Sequence, residues 1–302
     1  MADKGADSRW WIADSHPPSA TRHQPSAIRL LQLWRLYARM DFLMLTRSMR
    51  LFLTWYLSDT LLNVAAVAAA FLLAERFDGI GPWSKYQVLF LLGYSTLVRG
   101  VLETFFSYNV LYISRRIGRG QLDHILIQPQ PIWMTLLTEG FLPLSLSGVL
   151  MLGLGLTAWA GLNLGLSLSP AWLALFALNL AASCAVVVAF SYLWGSLAFW
   201  APRAAEEIST PLVYMVYSLK AFPLDGLPLP MLGGLLSIVP IGFVAWFPCR
   251  ALLGLDDSPL GGFITPLAAL ALGALAIWAF SKGLKQYGRT GSQRYHPLGH
   301  RS

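Results

Sequence analysis

The run AWLALFALNLAASCAVVVAFSYLWGSLAFW, residues 171–200, decides the fold class because it holds no Asp, Glu, Lys or Arg. A helix needs roughly 20 apolar residues to cross a bilayer. Residues 51–74, 141–160 and 262–281 are similarly apolar. One soluble core could not bury so many uniformly apolar helices, whereas lipid accepts them because a helix satisfies its own backbone hydrogen bonds. The sequence therefore predicts an integral membrane protein.

Composition and charge agree with a membrane protein. The chain has 302 residues, of which 56% are hydrophobic and 12% charged, whereas soluble domains carry about 25% charged residues. The net charge is +7, but the basic residues flank apolar runs, so membrane orientation explains them better than nucleic-acid binding. We expect no nucleic-acid partner. The two cysteines form no zinc-type cluster, and a structural disulfide between them is not expected.

The predicted fold class is all-α, a polytopic membrane protein with about six transmembrane helices. Residues 1–27 are polar, lack the apolar run of a signal peptide and are interpreted as a disordered cytoplasmic tail. Residues 28–290 form the predicted transmembrane domain. It begins with 28–50, where arginines alternate with apolar residues; this pattern favours a helix on the membrane surface over a soluble lead-in. The predicted spans are about 51–74, 86–110, 132–160, 171–200, 208–222 and 262–281.

The distribution of lysine and arginine predicts the topology. Basic residues are concentrated before the first span, in the loop at 113–131 and after the last span, from Lys282 to Arg301, whereas the loop at 161–170 has none. Cytoplasmic loops carry such an excess, so both termini are expected in the cytoplasm and the number of crossings must be even. Only one of 208–222 and 231–247 can then cross fully. The other is predicted to be a broken re-entrant or extracellular helical segment before the last span, since prolines interrupt 223–248 repeatedly.

Motifs of catalysis are absent from the sequence. There is no G-x-x-x-x-G-K-[ST] loop, no H-E-x-x-H zinc motif and no G-x-S-x-G elbow. Four of the five histidines lie in the terminal tails, which leaves no intramembrane histidine ligand set. We expect no catalytic residue, no bound cofactor and no metal site, and therefore no enzyme.

Two charged residues fall near the middle of the second span. Arg99 and Glu103 are four residues apart and so share one helix face. Ionisable residues inside membranes are functional candidates. The pair is either a charged wall of a substrate path or a buried structural pair that fixes helix packing. Asp59 and Asn63 repeat the spacing on the first span and are expected to hydrogen-bond between helices.

The segment from Ile113 to Pro131 is the most distinctive part of the chain. A basic start is followed by a glycine hinge, a short amphipathic stretch and a proline stop. The candidate coupling residues are Arg115, Arg116, Arg119, Gly120, Leu122, Asp123, Leu126 and Pro129. Asp123 is expected to hold the loop or contact a partner, and Leu122 with Leu126 to form an apolar docking face. The alternative is a loop that only orients the protein in the membrane.

The run FFSYNVLYISRRIGRGQLDHILIQP, residues 105–129, resembles the ABC-2 type transporter permeases, specifically their six-span branch. In that branch a Phe-rich helix leads to a basic-Gly-x-Leu/Phe-Asp-x-x-Leu-x-x-Pro loop. Four further runs also resemble family segments: VLFLLGYSTLVRG, SLAFWAPRAAE, the stretch from FPLDGLP through VPIGFVAWFPCRALLG, and KGLKQYGRTGS. Gln128 is a departure, since arginine is common before the proline.

The resemblance implies a permease that pairs with a second permease chain and binds a separate cytosolic P-loop ATPase. ATP and Mg²⁺ would be held by that ATPase, and substrate would usually move outward across the plasma (inner) membrane. The absence of a P-loop agrees with this division of labour. The alternatives are a secondary transporter or a channel without an ATPase, and the sequence shows neither a clear inverted repeat nor a filter motif.

Overall fold

The computed structural model describes residues 26–76, 79–111, 113–128, 131–256, 258 and 260–291. Within these ranges the chain is helical and contains no strand, which confirms the all-α fold. Residues 1–25 and 292–302, which make up nearly all of the two predicted tails, lie outside the described residues.

The described residues form twelve α-helices. They are α1 (Ser26–Arg47), α2 (Met49–Arg76), α3 (Lys85–Leu111), α4 (Ile113–Gly118), α5 (Leu122–Leu126), α6 (Ile132–Thr138), α7 (Ser147–Asn163), α8 (Pro170–Gly195), α9 (Pro202–Leu219), α10 (Leu229–Ser237), α11 (Phe247–Leu252) and α12 (Ile264–Thr290). Short 3₁₀ turns extend α8 to Phe199 and precede α12 from Gly261, and a π-turn at Gly242–Trp246 leads into α11.

Four helical segments within the described residues are long and apolar enough to cross a bilayer: Met49–Ala69, Lys85–Phe106, Pro170–Phe199 and Gly261–Thr290. They correspond to four of the predicted spans. The fifth predicted span, 208–222, overlaps α9, which begins earlier, at Pro202, carries charged residues in its first turns and ends at Leu219.

The prediction of one continuous span over 132–160 is wrong. The helix breaks between α6 and α7, and residues 139–146 are turns. Pro143 lies in the break and cannot donate a backbone hydrogen bond. Only α7, with 17 residues, continues as a long apolar helix.

The proline-rich stretch before the last span is a broken helix, as predicted. The helical segments Leu229–Ser237 and Gly242–Leu252 are bent by 80° relative to each other, with Pro240 in the break.

The bundle has two ends that can be defined by their polar contacts. At the arginine end, α4 lies against α9, and α12 ends beside α5. At the Asp225 end, Trp83, which precedes α3, is bonded to Asp225, which follows α9. Because α3 begins at the Asp225 end and α9 begins at the arginine end, these two neighbours run in opposite directions. Asp225 also accepts a hydrogen bond from Trp246, and this bond holds the bent α10–α11 segment at the Asp225 end.

The tightest helix contact joins α3 to α7. A Cβ atom added at Gly153 of α7 would lie 2.3 Å from the Leu97 backbone nitrogen, and one at Gly100 of α3 would lie 2.3 Å from the Leu150 Cα. Gly93, two turns before Gly100, meets Thr157 in the same way. Small residues at such positions let helix backbones approach closely, and this is a common basis of helix association in membranes.

We predict that Gly153→Ala destabilises the protein by about 1–3 kcal/mol, because the added methyl group would overlap with the α3 backbone. Gly155→Ala is the matched control on the same helix, since a Cβ there meets nothing within 4 Å. Replacing a helical glycine in open space should be neutral or stabilise by up to about 1 kcal/mol. Thermal denaturation in detergent measures both variants, and equal midpoints for the two would contradict the α3–α7 contact.

Candidate coupling loop and intramembrane polar network

The predicted coupling loop folds as two short helices, α4 and α5, joined at Gly120. This glycine has φ +71°, a left-handed conformation that other residues adopt at a cost, so it ends α4 and turns the chain into α5. Arg119 is exposed beside it. Pro129, the predicted end of the loop, lies outside the described residues.

Two ion pairs fasten α4 to other parts of the bundle. The Arg115 Nε donates to Glu206 Oε1 of α9 at 2.5 Å. The Arg116 Nη2 donates to Glu139 Oε2, just after α6, at 2.7 Å. Tyr37 of α1 lies near the second pair, where its burial and the Glu139 carboxylate raise the pKa of its phenol. The loop arginines therefore bind acidic residues of this same chain.

Asp123 fastens the other half of the loop. The hydroxyl group of Tyr287, near the end of α12, donates a hydrogen bond to the Asp123 carboxylate. The Tyr287 ring packs edge-on against Phe199, at 5.9 Å between ring centroids. Of the two roles expected for Asp123, the structure contains the one in which it holds the loop in place.

The prediction that Leu122 and Leu126 form one docking face is wrong. Leu122 is fully buried, in a cluster with Ile113, Ile117 and Ile125 that also includes Phe199. Leu126 is 42% exposed and its neighbour Ile127 is 81% exposed. The apolar surface that the loop offers is therefore Leu126 with Ile127, and Leu122 belongs to the permease core.

A groove of about 510 Å³ runs beside this loop, between α4 and the start of α9. It is lined by Arg115, Arg119, Arg203, Glu206, Glu207, Thr210 and Pro211. The lining carries both signs of charge, so the groove suits contact with a polar protein surface. It is open and does not enclose an apolar cavity.

Arg99 and Glu103 form the predicted pair. The Arg99 Nε donates to Glu103 Oε1 at 2.7 Å. Arg99 also donates through Nη1 to Asn63 Oδ1 of α2 at 3.1 Å, and the Asn63 amide donates to the Asp59 carboxylate at 3.2 Å. The two four-residue pairs noted in the sequence thus join into one network, which links α2 to α3.

Lys220, which the sequence analysis did not single out, lies close to this network. It is 4% exposed, and its Nζ makes no hydrogen bond within the described residues. The ammonium group lies 4.4 Å from the ring centroid of Tyr217, a cation–π contact. It also interacts electrostatically with Arg99 and Glu103. A lysine at the end of an apolar segment is typical of the membrane surface, so the burial of Lys220 could not be predicted from local sequence.

A second network closes the Asp225 end. The Asp225 carboxylate accepts from Trp83 Nε1 at 2.5 Å, from Trp246 Nε1 at 2.6 Å and from Arg250 Nη1 at 2.6 Å. The Arg250 Nε donates in turn to Asp256 Oδ1 at 2.7 Å. These bonds join the chain before α3 to both sides of α11.

The amphipathic helix α1 is attached by a buried carboxylate. Asp41 is 0% exposed and accepts from the backbone N–H groups of Leu144 at 2.8 Å and Ser145 at 3.1 Å. These donors lie in the turn just before α7. Trp34 of α1 packs against Phe105 and Phe141.

The apolar helices, with an ion pair and its hydrogen-bonded neighbours between them, define an all-helical, multi-pass membrane protein. Residues 61–291 match the family model described as ABC-2 family transporter protein. The chain belongs to this family, whose members are membrane components of ABC transporters. Comparison with curated proteins and with solved structures gives no significant match.

We predict that Arg99→Met and Glu103→Gln each destabilise the protein by about 1–3 kcal/mol. This is less than the roughly 3–5 kcal/mol of a dry pair, because the Arg99 side chain is 38% exposed in the single chain. The double variant should lose less stability than the two single variants lose together, because it leaves no unpaired charge. Thermal denaturation of the four proteins measures the coupling, with Glu75→Gln on the exposed end of α2 as control. Strict additivity would contradict a structural pair.

Proposed function

We propose that this chain is the permease subunit of an ATP-driven exporter, that it works as a dimer, and that a separate cytosolic ATPase drives it through the loop at 113–128. The observation that carries the proposal is the attachment of this loop. Arg115 ties it to α9, Arg116 to the end of α6 and Asp123 to α12. A force applied to the loop by a partner would therefore reach three parts of the bundle together.

The six-span arrangement is part of the proposal. Helices α2, α3, α7, α8, α9 and α12 would cross, and the bent α10–α11 segment would stay at the outer face, bound to Asp225. In this proposed arrangement 208–222 crosses as part of α9, and 231–247 does not cross. The arrangement also agrees with the even number of crossings expected from the basic flanks.

The dimer and the direction of transport rest on two other observations. No residue in the Met49–Ala69 window of α2 is buried within the single chain, which leaves this helix available to lipid or to a second copy. The outward direction follows from the family resemblance. ATP and Mg²⁺ would be bound by the partner ATPase, since the chain has no P-loop.

For topology, we predict that both termini and the arginine end face the cytoplasm of the cell, at the plasma (inner) membrane. The exposed positions Ser84 and Asn163 replaced by cysteine should react with an impermeant maleimide in intact cells, whereas Thr290 replaced by cysteine should react only after lysis. The natural cysteines, Cys184 and Cys249, are buried and should give little background. Labelling of position 290 from outside would invert the proposed topology.

For ATPase capture, we predict that Leu126→Ser with Ile127→Ser weakens binding of the ATPase about 30-fold to 700-fold. Burial of both side chains in an interface should contribute about 2–4 kcal/mol of binding free energy, because both are partly exposed in the single chain. The measurement is recovery of the ATPase with a tagged permease, normalised to permease amount.

The matched control is Leu178→Ser with Ile277→Ser, two exposed apolar residues of α8 and α12 away from the loop. It should leave recovery unchanged. Undiminished recovery with the loop variant would mean that the loop only orients the protein. Absence of any P-loop protein with the unaltered chain would favour a secondary transporter or a channel.

A further inference from the structure

A pocket of about 420 Å³ opens at the Asp225 end, between the first turn of α8 and the turn that precedes α12. Its polar lining consists of Asp256, Ser258 and the backbone of Gly262, and its apolar lining of Ala171, Leu175, Ala251 and Phe263. Exposed apolar residues continue outward from it at Leu260 and Leu267. A pocket at the start of two apolar helices lies at the level where lipid headgroups meet water.

The charges beside this pocket do not balance. Arg250 is shared by the carboxylates of Asp225 and Asp256, at 2.6 and 2.7 Å, so one guanidinium faces two negative charges. Asp256 Oδ1 takes the Arg250 bond, whereas Asp256 Oδ2 is buried without a hydrogen-bond partner. A buried carboxylate oxygen without a donor is costly, and here it belongs to a residue that lines an open pocket.

Two fully buried side chains around the turn at Gly262 also carry oxygen atoms without hydrogen-bond partners. Asn179 is fully buried; its Nδ2 donates to the Gly262 carbonyl at 3.0 Å, but its Oδ1 has no partner. Thr265, in the first turn of α12, is also fully buried and its hydroxyl has no partner. Of these groups only Asp256 lines the pocket, and a ligand that brings hydrogen-bond donors and a positive charge would satisfy its Oδ2.

We propose that this pocket binds a primary ammonium group, as carried by an aminophospholipid headgroup. A compact ammonium has three donors and no acceptor, which matches a site made of acceptors. A divalent metal ion fits less well, because no group of three His, Cys, Asp or Glu side chains assembles among the described residues. The apolar walls formed by Leu175 and Phe263 suit the first carbons of an amphiphile. Lipid selection here is separate from ATPase capture, so either can fail without the other.

Two variants and a matched control test the proposal. Asp256→Asn removes the charge, and Ala171→Phe fills the pocket while leaving Asp256 intact. Ala177→Phe adds the same ring at another exposed position of α8, away from the pocket. The purified proteins are mixed with equal amounts of phosphatidylethanolamine and phosphatidylcholine of the same acyl chains, and bound lipids are counted by native mass spectrometry.

The unaltered protein and Ala177→Phe should prefer phosphatidylethanolamine about tenfold, the size expected for one charge-assisted hydrogen-bonded contact. Asp256→Asn and Ala171→Phe should both bring the ratio close to one; if Asp256→Asn fails to fold, Ala171→Phe still decides. Saturable binding of free ethanolamine that displaces the lipid would support the ammonium site with a soluble amine as its source. No preference in the unaltered protein, or a preference that survives Ala171→Phe, would overturn the proposal and leave only water in the pocket.

Discussion

The contact between α3 and α7 is the constraint on which the rest of the bundle depends. Three glycines, Gly93, Gly100 and Gly153, let the two backbones meet without side chains between them. In lipid there is little hydrophobic drive to bring helices together, so close packing of this kind supplies the association. Because α3 is fixed against α7, the positions of the α3 side chains that face other helices are fixed as well. Arg99 can then reach Asn63 of α2 on one side.

The same helix connects the two polar regions at opposite ends of the bundle. Trp83 enters α3 from the Asp225 network, and α4 continues from α3 into the arginine end. Since a helix is stiff along its axis, a displacement of the loop at 113–128 would be passed along α3. The network at Asp225, with its tryptophan and arginine donors, is where such a displacement would have to break bonds. One carboxylate with three donors therefore holds the end of the bundle opposite to the loop.

How far the sequence alone could predict this structure depends on the range of the interaction. Apolar run length predicted α2, α3, α8 and α12 because it depends only on neighbouring residues. The pair Arg99–Glu103 was predictable for the same reason. Glu206, which binds Arg115, is 91 residues away from it, and no local pattern indicates such a partner. Leu122 and Leu126 share a helix face by spacing, but the five-residue α5 is too short for that spacing to show which residue faces the core.

Lys220 places a buried amino group without a hydrogen-bond partner among apolar helices. A buried ammonium without a hydrogen-bond partner is unfavourable, and the Tyr217 ring offsets only part of that cost. Glu103 could neutralise it but is already bonded to Arg99. Arg99 and Glu103 are linked through Asn63 to Asp59, so with Lys220 nearby the network holds two basic and two acidic side chains. Ionisable residues inside a membrane are functional candidates, so this network is a stronger candidate for the wall of a substrate path than the apolar surface is.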